Sequence, residues 1–159
     1  MENVVNTILY CYPSFQSVID GMERLAYFKA VVSFNDCNRT AEQLDKILII
    51  NNQKERLIAL KKALEYMLCD LSADEQKLIE EKFFNKTKDI GDGISIRQYY
   101  RKQKLVFDKL LLKFNKRGFD QHWFEENFGD IYFLKSRYLT IKKMARKKST
   151  KNRKTIINL

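Results

Sequence analysis

Residues 1–70 carry apolar side chains at the spacing of amphipathic helices. The apolar positions of a short first helix are Val4, Val5, Ile8 and Leu9. Pro13 ends or kinks that helix, and Ser14 is a suitable N-cap for a second one. The second apolar face extends over residues 15–34 and is followed by polar residues 35–38, which are typical of a loop.

A long third helix is predicted from Thr40 to about Cys69. Its apolar positions follow alternating steps of three and four: Ile47, Ile50, Leu57, Leu64 and Leu68. This length holds only about four heptads, which favours a packed helix over a free coiled coil. The helix is expected to pack on the second helix or to pair with a copy from another subunit.

Two further helices are predicted by their capping residues. Ser72 and Glu75 form a capping-box pattern before a helix over residues 73–86. The predicted inner face of this helix comprises Leu78, Ile79, Lys82 and Phe83. Residues 85–93 form the clearest turn of the chain, and Ser95 then caps a helix that meets no glycine or proline before Gly118. The apolar stripe of this last helix comprises Ile96, Tyr99, Tyr100, Gln103, Val106, Phe107, Leu110, Leu111 and Phe114.

The composition favours an all-α fold. Five glycines and one proline in 159 residues are too few for the frequent turns of a β protein. The length suits one domain, or two small helical units that share a core. We expect a helical hairpin or bundle at residues 1–70, a helix-turn-helix unit at residues 71–140 and a basic tail at residues 141–159.

Cysteine usage and hydropathy point to a cytoplasmic protein. Cys11, Cys37 and Cys69 are odd in number and far apart, which suits neither a disulfide framework nor a zinc site. No basic and apolar leader pattern begins the sequence, and no apolar run approaches the roughly 18 residues of a membrane span. We therefore expect no membrane partner.

The net charge of +10 is concentrated in two segments. Residues 141–159 carry eight lysines and arginines and no acid, and residues 95–117 carry eight against Asp108 alone, a net of +7. The rest of the chain therefore carries −5. Basic segments on a mildly acidic body favour a polyanion partner. The alternative is an AT-rich genome, which enriches lysine throughout a proteome.

The helix after Ser95 has a basic outer face near its N-terminus. The donors on this face are Arg97, Gln98, Arg101, Lys102 and Lys104. They lie where the helix dipole favours negative charge, and such a helix fits the major groove, with arginine or glutamine on base edges and lysine on phosphates. The alternative is an ordinary surface helix with a solvated basic face.

Two segments also carry a family resemblance. LSADEQKLIEEKFF at residues 71–84, followed by ISIRQYYRKQKLVFDKLLLKF at residues 94–114, resembles region four of bacterial sigma factors and the sigma-like phage regulators of the ArpU type. Those proteins open a helix with Leu-Ser or Leu-Thr and an acidic pair, and resume with Ile-Ser before a recognition helix. The residues similar to that helix are Ser95, Arg97, Tyr99, Tyr100, Arg101, Phe107, Lys109 and Leu110.

The resemblance implies Ser95 as the N-cap and a DNA-facing set of Arg97, Gln98, Arg101 and Lys102. It also implies double-stranded DNA and RNA polymerase as partners. The family places a short helix before the Ile-Ser, whereas residues 85–93 leave little room for one in this chain. That helix is therefore expected to be a single turn near residues 88–90 or to be absent.

The C-terminal third adds an aromatic segment and a basic tail. In FDQHWFEENF, residues 119–128, we expect Trp123 and Phe124 in the core, because the neighbouring acids would repel a phosphate backbone. His122 is the only histidine of the chain and has no cysteine pair at ligand spacing, so it is expected on the surface or at a cap. The tail is expected to trail as a phosphate-binding arm, and the alternatives are a solvated tail without a function or a helix that forms only on DNA. Its predicted DNA contacts are Lys142, Lys143, Arg146, Lys147 and Lys148.

No catalytic or cofactor-binding motif is found in the sequence, so we expect neither an enzyme nor a cofactor. The prediction is a sequence-specific DNA-binding transcription regulator, whose residues 1–70 supply dimerisation or a polymerase contact. One alternative is a helical adaptor or packaging-type protein that binds DNA without sequence preference. Another is an RNA-binding protein, although RNP aromatics and a GxxG loop are missing.

Overall fold

The computed structural model of the protein describes residues 1–35, 40–84 and 95–157, with side chains for residues 1–32, 41–84 and 95–147. The helices in these residues are α1 (Glu2–Cys11), α2 (Phe15–Asn35), α3 (Thr40–Cys69), α4 (Ala73–Phe83), α5 (Ile96–Lys116), α6 (Gln121–Phe128) and α7 (Tyr132–Ile157). A 3₁₀ turn at Tyr12–Ser14 joins α1 to α2. The described residues contain no strand, which confirms the all-α class.

The helices form two compact units. The first unit comprises Met1–Cys11 and Leu71–Leu159, and the second comprises Tyr12–Asp70. The helix α1 thus belongs with the C-terminal helices, whereas the sequence analysis placed it in a region of residues 1–70. Residues 3–19 contain no charged side chain, and α1 has the composition of a helix that is enclosed on most sides.

The second unit consists of α2 and α3 packed against each other along their length. Three cross-helix contacts join Tyr12 to Glu65, Gln16 to Lys61, and Glu23 to Lys54. The residue numbers rise on one helix as they fall on the other, so the two helices are antiparallel. The side chains buried in this unit are Phe15, Ile19, Ala26, Ile50, Leu57, Leu60, Leu64 and Met67.

The first unit is built around α1, which packs on α7 and touches α5. Val4, Val5, Ile8 and Leu9 have no solvent exposure. The residues that complete this core are Ile79, Phe83, Val106, Phe107, Leu110, Phe114, Phe124, Phe128, Ile131, Leu134 and Tyr138. Burial in this core raises the pKa of the Cys11 thiol to about 12, against the opposing charge of Arg137.

The end of α5 is fixed by Gly118, which has a φ of +73°. Its N–H donates to the Asn115 carbonyl at 2.9 Å, and the Phe119 N–H donates to the Phe114 carbonyl at 3.1 Å. This pattern is a Schellman motif, and the contact between the Phe114 and Phe119 rings accompanies it. A side chain at position 118 would strain the left-handed backbone, so glycine is required at this position.

The predicted inner face of α4 needs one correction. Ile79 and Phe83 are buried as expected, but Leu78 and Lys82 are only half-buried, and Glu81 is buried. The helical period places Glu81 away from Ile79, but the side chain is covered because it meets Tyr99 of α5. A pattern of apolar residues could not indicate this buried acid.

All residues of the predicted stripe of α5 are buried, with three exceptions. Ile96 and Tyr100 are exposed, and Leu111 is half-buried. Ile96 is the first residue of α5. The core side of the helix therefore begins at Tyr99, one turn later than the sequence predicts.

Residues 141–157 continue α7 as helix, whereas the sequence predicts a trailing arm. The segment has no glycine or proline and is rich in lysine and arginine, which are good helix formers. Asn35, the first residue of the predicted loop at residues 35–38, is instead the last residue of α2. Residues 36–38 of that loop, and the predicted turn at residues 85–93 with the short helix expected near residues 88–90, lie outside the described residues. Cys37 also lies there.

Candidate nucleic-acid interface

Ser95 is the N-cap of α5, as the sequence predicts. Its hydroxyl accepts a hydrogen bond from the Gln98 N–H, and the Gln98 Oε1 accepts one from the Ser95 N–H, each at 3.3 Å. This capping box satisfies two amides that would otherwise lack partners at the helix start. The side-chain oxygen Oε1 of Gln98 is therefore engaged in the cap, and the side-chain NH₂ is the group left to face a ligand.

The four cationic side chains near the start of α5 are all exposed: Arg97, Arg101, Lys102 and Lys104. Within the described part of the chain, none of them makes an ion pair with an acid. Four cations within eight residues repel one another in water, so an anion with spaced charges would be favoured beside them. The positive end of the helix dipole adds to this preference.

The outward face of α5 changes character along its length. By the helical period, Arg97, Arg101, Leu105, Asp108 and Leu112 follow one another along the side away from the core. Leu105 is 60% exposed, and Asp108 is exposed as well. Because Asp108 would repel a phosphate, the surface suited to a polyanion ends near Leu105, after about three turns of helix.

A buried polar network holds the start of α5 against α4. The Tyr99 hydroxyl donates to Glu81 Oε2 at 2.6 Å, and Gln103 Nε2 lies 3.4 Å from the same hydroxyl and 3.3 Å from the Leu78 carbonyl oxygen. Burial, followed by the hydrogen bond to Glu81, raises the pKa of Tyr99 to about 12. The phenol therefore remains a donor to Glu81 throughout the neutral pH range.

Two contacts fix the later turns of α5 on α4. Lys109 Nζ binds both carboxylate oxygens of Glu75 at 2.9 and 3.0 Å, and this bond, followed by that from the Ser72 N–H, lowers the pKa of Glu75. The Lys82 ammonium lies 4.4 Å from the centre of the Phe107 ring and 5.0 Å from that of Phe83. Burial lowers the pKa of Lys82. These contacts set the direction in which the basic turns point.

The predicted basic residues of the tail are not equivalent in the structure. Lys143, Arg146 and Lys147 are exposed on α7, and the side chain of Lys148 lies outside the described residues. Lys142 instead lies 3.8 Å from Glu125 and 5.3 Å from the centre of the Tyr138 ring. Its charge is thus partly balanced within the protein, and Lys142 is a weaker candidate for a phosphate contact.

The aromatic segment of α6 faces the core. Phe124 is buried, which confirms the core prediction for this residue, and the half-buried Trp123 stacks on Phe119 with ring centres 4.1 Å apart. His122 is exposed, and its Nε2 lies 3.3 Å from Glu126. In the described residues, no group of three or more histidines, cysteines and acids could hold a metal ion.

The sequence reasoning missed two kinds of residue near this surface. Glu81 positions α5 and was not among the predicted inner-face residues of α4; the polar residues Tyr99 and Gln103 inside an otherwise apolar stripe were the available signal for a buried polar partner. Lys135 and Arg137 add exposed cations to α7 before residue 141, and the Arg137 guanidinium lies 5.1 Å from the centre of the Tyr10 ring. The sequence signal for these two residues was that basic residues already occur at positions 135 and 137, shortly before the predicted tail.

None of the described helices is both long and apolar enough to cross a membrane. Comparison with known proteins found no matching family model, no matching curated protein and no matching solved structure.

Proposed function

We propose that the protein binds double-stranded DNA through the first turns of α5 and acts as a transcription regulator. The observation that carries this proposal is the set of four exposed cations at a capped helix start, none of which pairs with an acid of the described residues. A helix that presents arginines in this way fits the major groove, where arginine recognises guanine through two hydrogen bonds.

The distribution of charge between the two units supports the same proposal. Residues 12–70 contain eight basic and eight acidic residues, so the second unit carries no net charge. The first unit, which contains α5 and α7, therefore carries the whole net charge of +10. Phosphate attraction is the main source of non-specific affinity for DNA, and it is concentrated in one unit.

The regulatory part of the proposal is supported by the resemblance of residues 71–114 to sigma factor region four. By this reading, α4 and α5 are the two main helices of a helix-turn-helix motif, and α5 is its recognition helix. RNA polymerase is a second proposed partner on the same basis. Lys143 and Lys147 are exposed on α7, which belongs to the same unit as α5, and they would add contacts to the DNA backbone.

The experiment selects preferred sites from a random duplex library with the full chain, and then measures affinity for the selected site and for bulk DNA. We expect a preference of about 10³ or more for the selected site. Arg97→Ala and Arg101→Ala should each cost about 1–3 kcal/mol and relax the preference at one position. Arg24→Ala, an exposed arginine of the neutral unit, is the matched control and should change neither quantity.

The possible results separate the alternatives. A protein that binds all duplexes equally, with a steep dependence on salt, is a non-specific adaptor and not a sequence-reading regulator. Preference for single strands or hairpins would indicate an RNA-binding protein. Affinity and site preference that survive both arginine substitutions would contradict the assignment of α5 as the reading helix.

A further inference from the structure

Large apolar side chains are exposed at one end of the antiparallel α2–α3 pair. They are Leu25, Tyr27, Phe28 and Val32 of α2, with Leu44, Leu48 and Ile49 of α3, and we call this set the apolar end. Tyr27 is 74% exposed and Phe28 is 64% exposed. The last half of α2 lies beside the first half of α3, so these residues are concentrated in one half of the second unit.

The sequence of α2 indicates that this end requires more than one neighbouring helix. Residues 25–32, LAYFKAVV, contain Lys29 as the only charge. One partner helix can cover only one side of α2, and Ala26 is buried there while its neighbours Leu25 and Tyr27 are exposed. A helix that is apolar on all sides is typically enclosed by several other helices.

The charge of the second unit fits a copy of itself as the neighbour. The unit is neutral, so two copies approach without net repulsion, whereas the first unit carries +10. Glu42, Asp45 and Lys46 lie in the same half of the pair, with Lys46 bonded to Glu42 and all three at least partly exposed. Charges of both signs at the border allow pairing across a two-fold axis, where each contact is made twice.

The exposed area is also of the size that a stable dimer needs. If each of the named side chains offers roughly 100 Å², about half the area of a large buried side chain, the apolar end presents about 700 Å² per copy. Specific interfaces bury about 800 Å² on each partner. Two pairs of helices that meet at their apolar ends would form a four-helix arrangement with a shared core.

We propose that two copies of the chain associate through the apolar end of the second unit. The partner is a second copy of this chain, and the association requires no nucleic acid. Dimerisation goes beyond the DNA-binding proposal and can be tested independently of it, because the apolar end lies on the second unit and the start of α5 lies on the first.

The experiment measures the mass of the full chain in solution, without DNA, by analytical ultracentrifugation at micromolar concentrations. We expect twice the chain mass for the wild type. The double variant Tyr27→Glu/Phe28→Glu should weaken the dimer at least a hundredfold, because four carboxylates would be buried in one interface. Leu48→Lys tests the α3 side independently, and Tyr132→Glu, at an 84% exposed tyrosine of the first unit, is the control.

Each result decides the proposal. A wild-type dimer that is broken by the α2 and α3 variants, but not by Tyr132→Glu, supports it, provided that circular dichroism shows unchanged helix content in every variant. A monomeric wild type would overturn it, because the apolar end would then have another occupant. A dimer that is broken by Tyr132→Glu and not by the α2 and α3 variants would overturn it as well.

Discussion

At the scale of single residues, the contact that matters most for the candidate interface is the one between Glu81 and Tyr99. Glu81 is 8% exposed, and its Oε1 has no hydrogen-bond partner among the described residues, with Lys77 Nζ 4.0 Å away. The second oxygen depends on the Tyr99 hydroxyl. A buried carboxylate with so few donors is costly unless each donor is kept.

Replacing Tyr99 with phenylalanine removes only the hydroxyl group, but it should still destabilise the protein. We expect a loss of about 1–3 kcal/mol in the free energy of unfolding, because Glu81 remains buried without its donor. Urea titration followed by circular dichroism measures the loss. Tyr132→Phe makes the same change at an exposed position and should alter the free energy by less than about 0.5 kcal/mol. Equal effects of the two variants would show that the network does not stabilise the α4–α5 contact.

This network also shows what the sequence could not predict about single residues. Arg97, Arg101 and Lys102 were predicted as exposed from the helical period alone, because charged side chains on the side opposite an apolar stripe reach solvent. Tyr99 and Gln103 in the apolar stripe indicate a buried polar partner, but that this partner is Glu81 could not be predicted, because its burial depends on how α5 crosses α4. The same holds for Lys142, whose neighbour Glu125 lies on a different helix.

At the scale of elements, ends that are set by local chemistry were predicted well. Ser72 forms the predicted capping box and Ser95 is the predicted N-cap, while α5 ends at Lys116, two residues before Gly118, whose backbone geometry favours glycine. The C-terminal end of the chain was predicted less well. The basic composition of residues 141–157 suggested an extended arm. These residues follow directly on the helical residues 132–140 and have good helix propensity, so α7 continues through them.

A helical tail leads to a specific prediction for DNA binding. Lys143→Ala/Lys147→Ala should lower the slope of log affinity against log salt by about 1.8, since each lost phosphate contact removes about 0.9. Site preference should not change, because contacts to phosphates do not read bases. Fluorescence anisotropy with a labelled duplex at several salt concentrations measures both quantities.

Two controls belong with this salt series. Lys62→Ala/Arg24→Ala removes two exposed cations from the neutral unit and should leave the slope unchanged. Lys142→Ala should change the slope by less than about 0.9, because Lys142 already lies beside Glu125. A slope that is insensitive to Lys143 and Lys147 would exclude this part of α7 from the DNA contact.

At the scale of the whole molecule, the main difference from the sequence analysis is the position of α1. Proximity along the chain suggested that α1 belongs with α2 and α3, and periodicity gives no information on which unit a helix joins. The sequence signal that was overlooked is the lack of charged side chains over residues 3–19. So long an uncharged segment has more apolar surface than a pair of helices can bury. The second unit is consequently inserted, in sequence, between α1 and the remaining helices of the first unit.

The placement of α1 can be tested with a natural probe, because Trp123 is the only tryptophan of the chain and lies in α6 of the first unit. Ile8→Ala removes a fully buried side chain and should lower the free energy of unfolding that tryptophan fluorescence reports by about 2–5 kcal/mol. Leu57→Ala makes an equally buried truncation in the second unit and should affect the fluorescence transition less. If fluorescence responds to Leu57→Ala and not to Ile8→Ala, α1 packs with α2 and α3 in solution, and its assignment to the first unit is wrong.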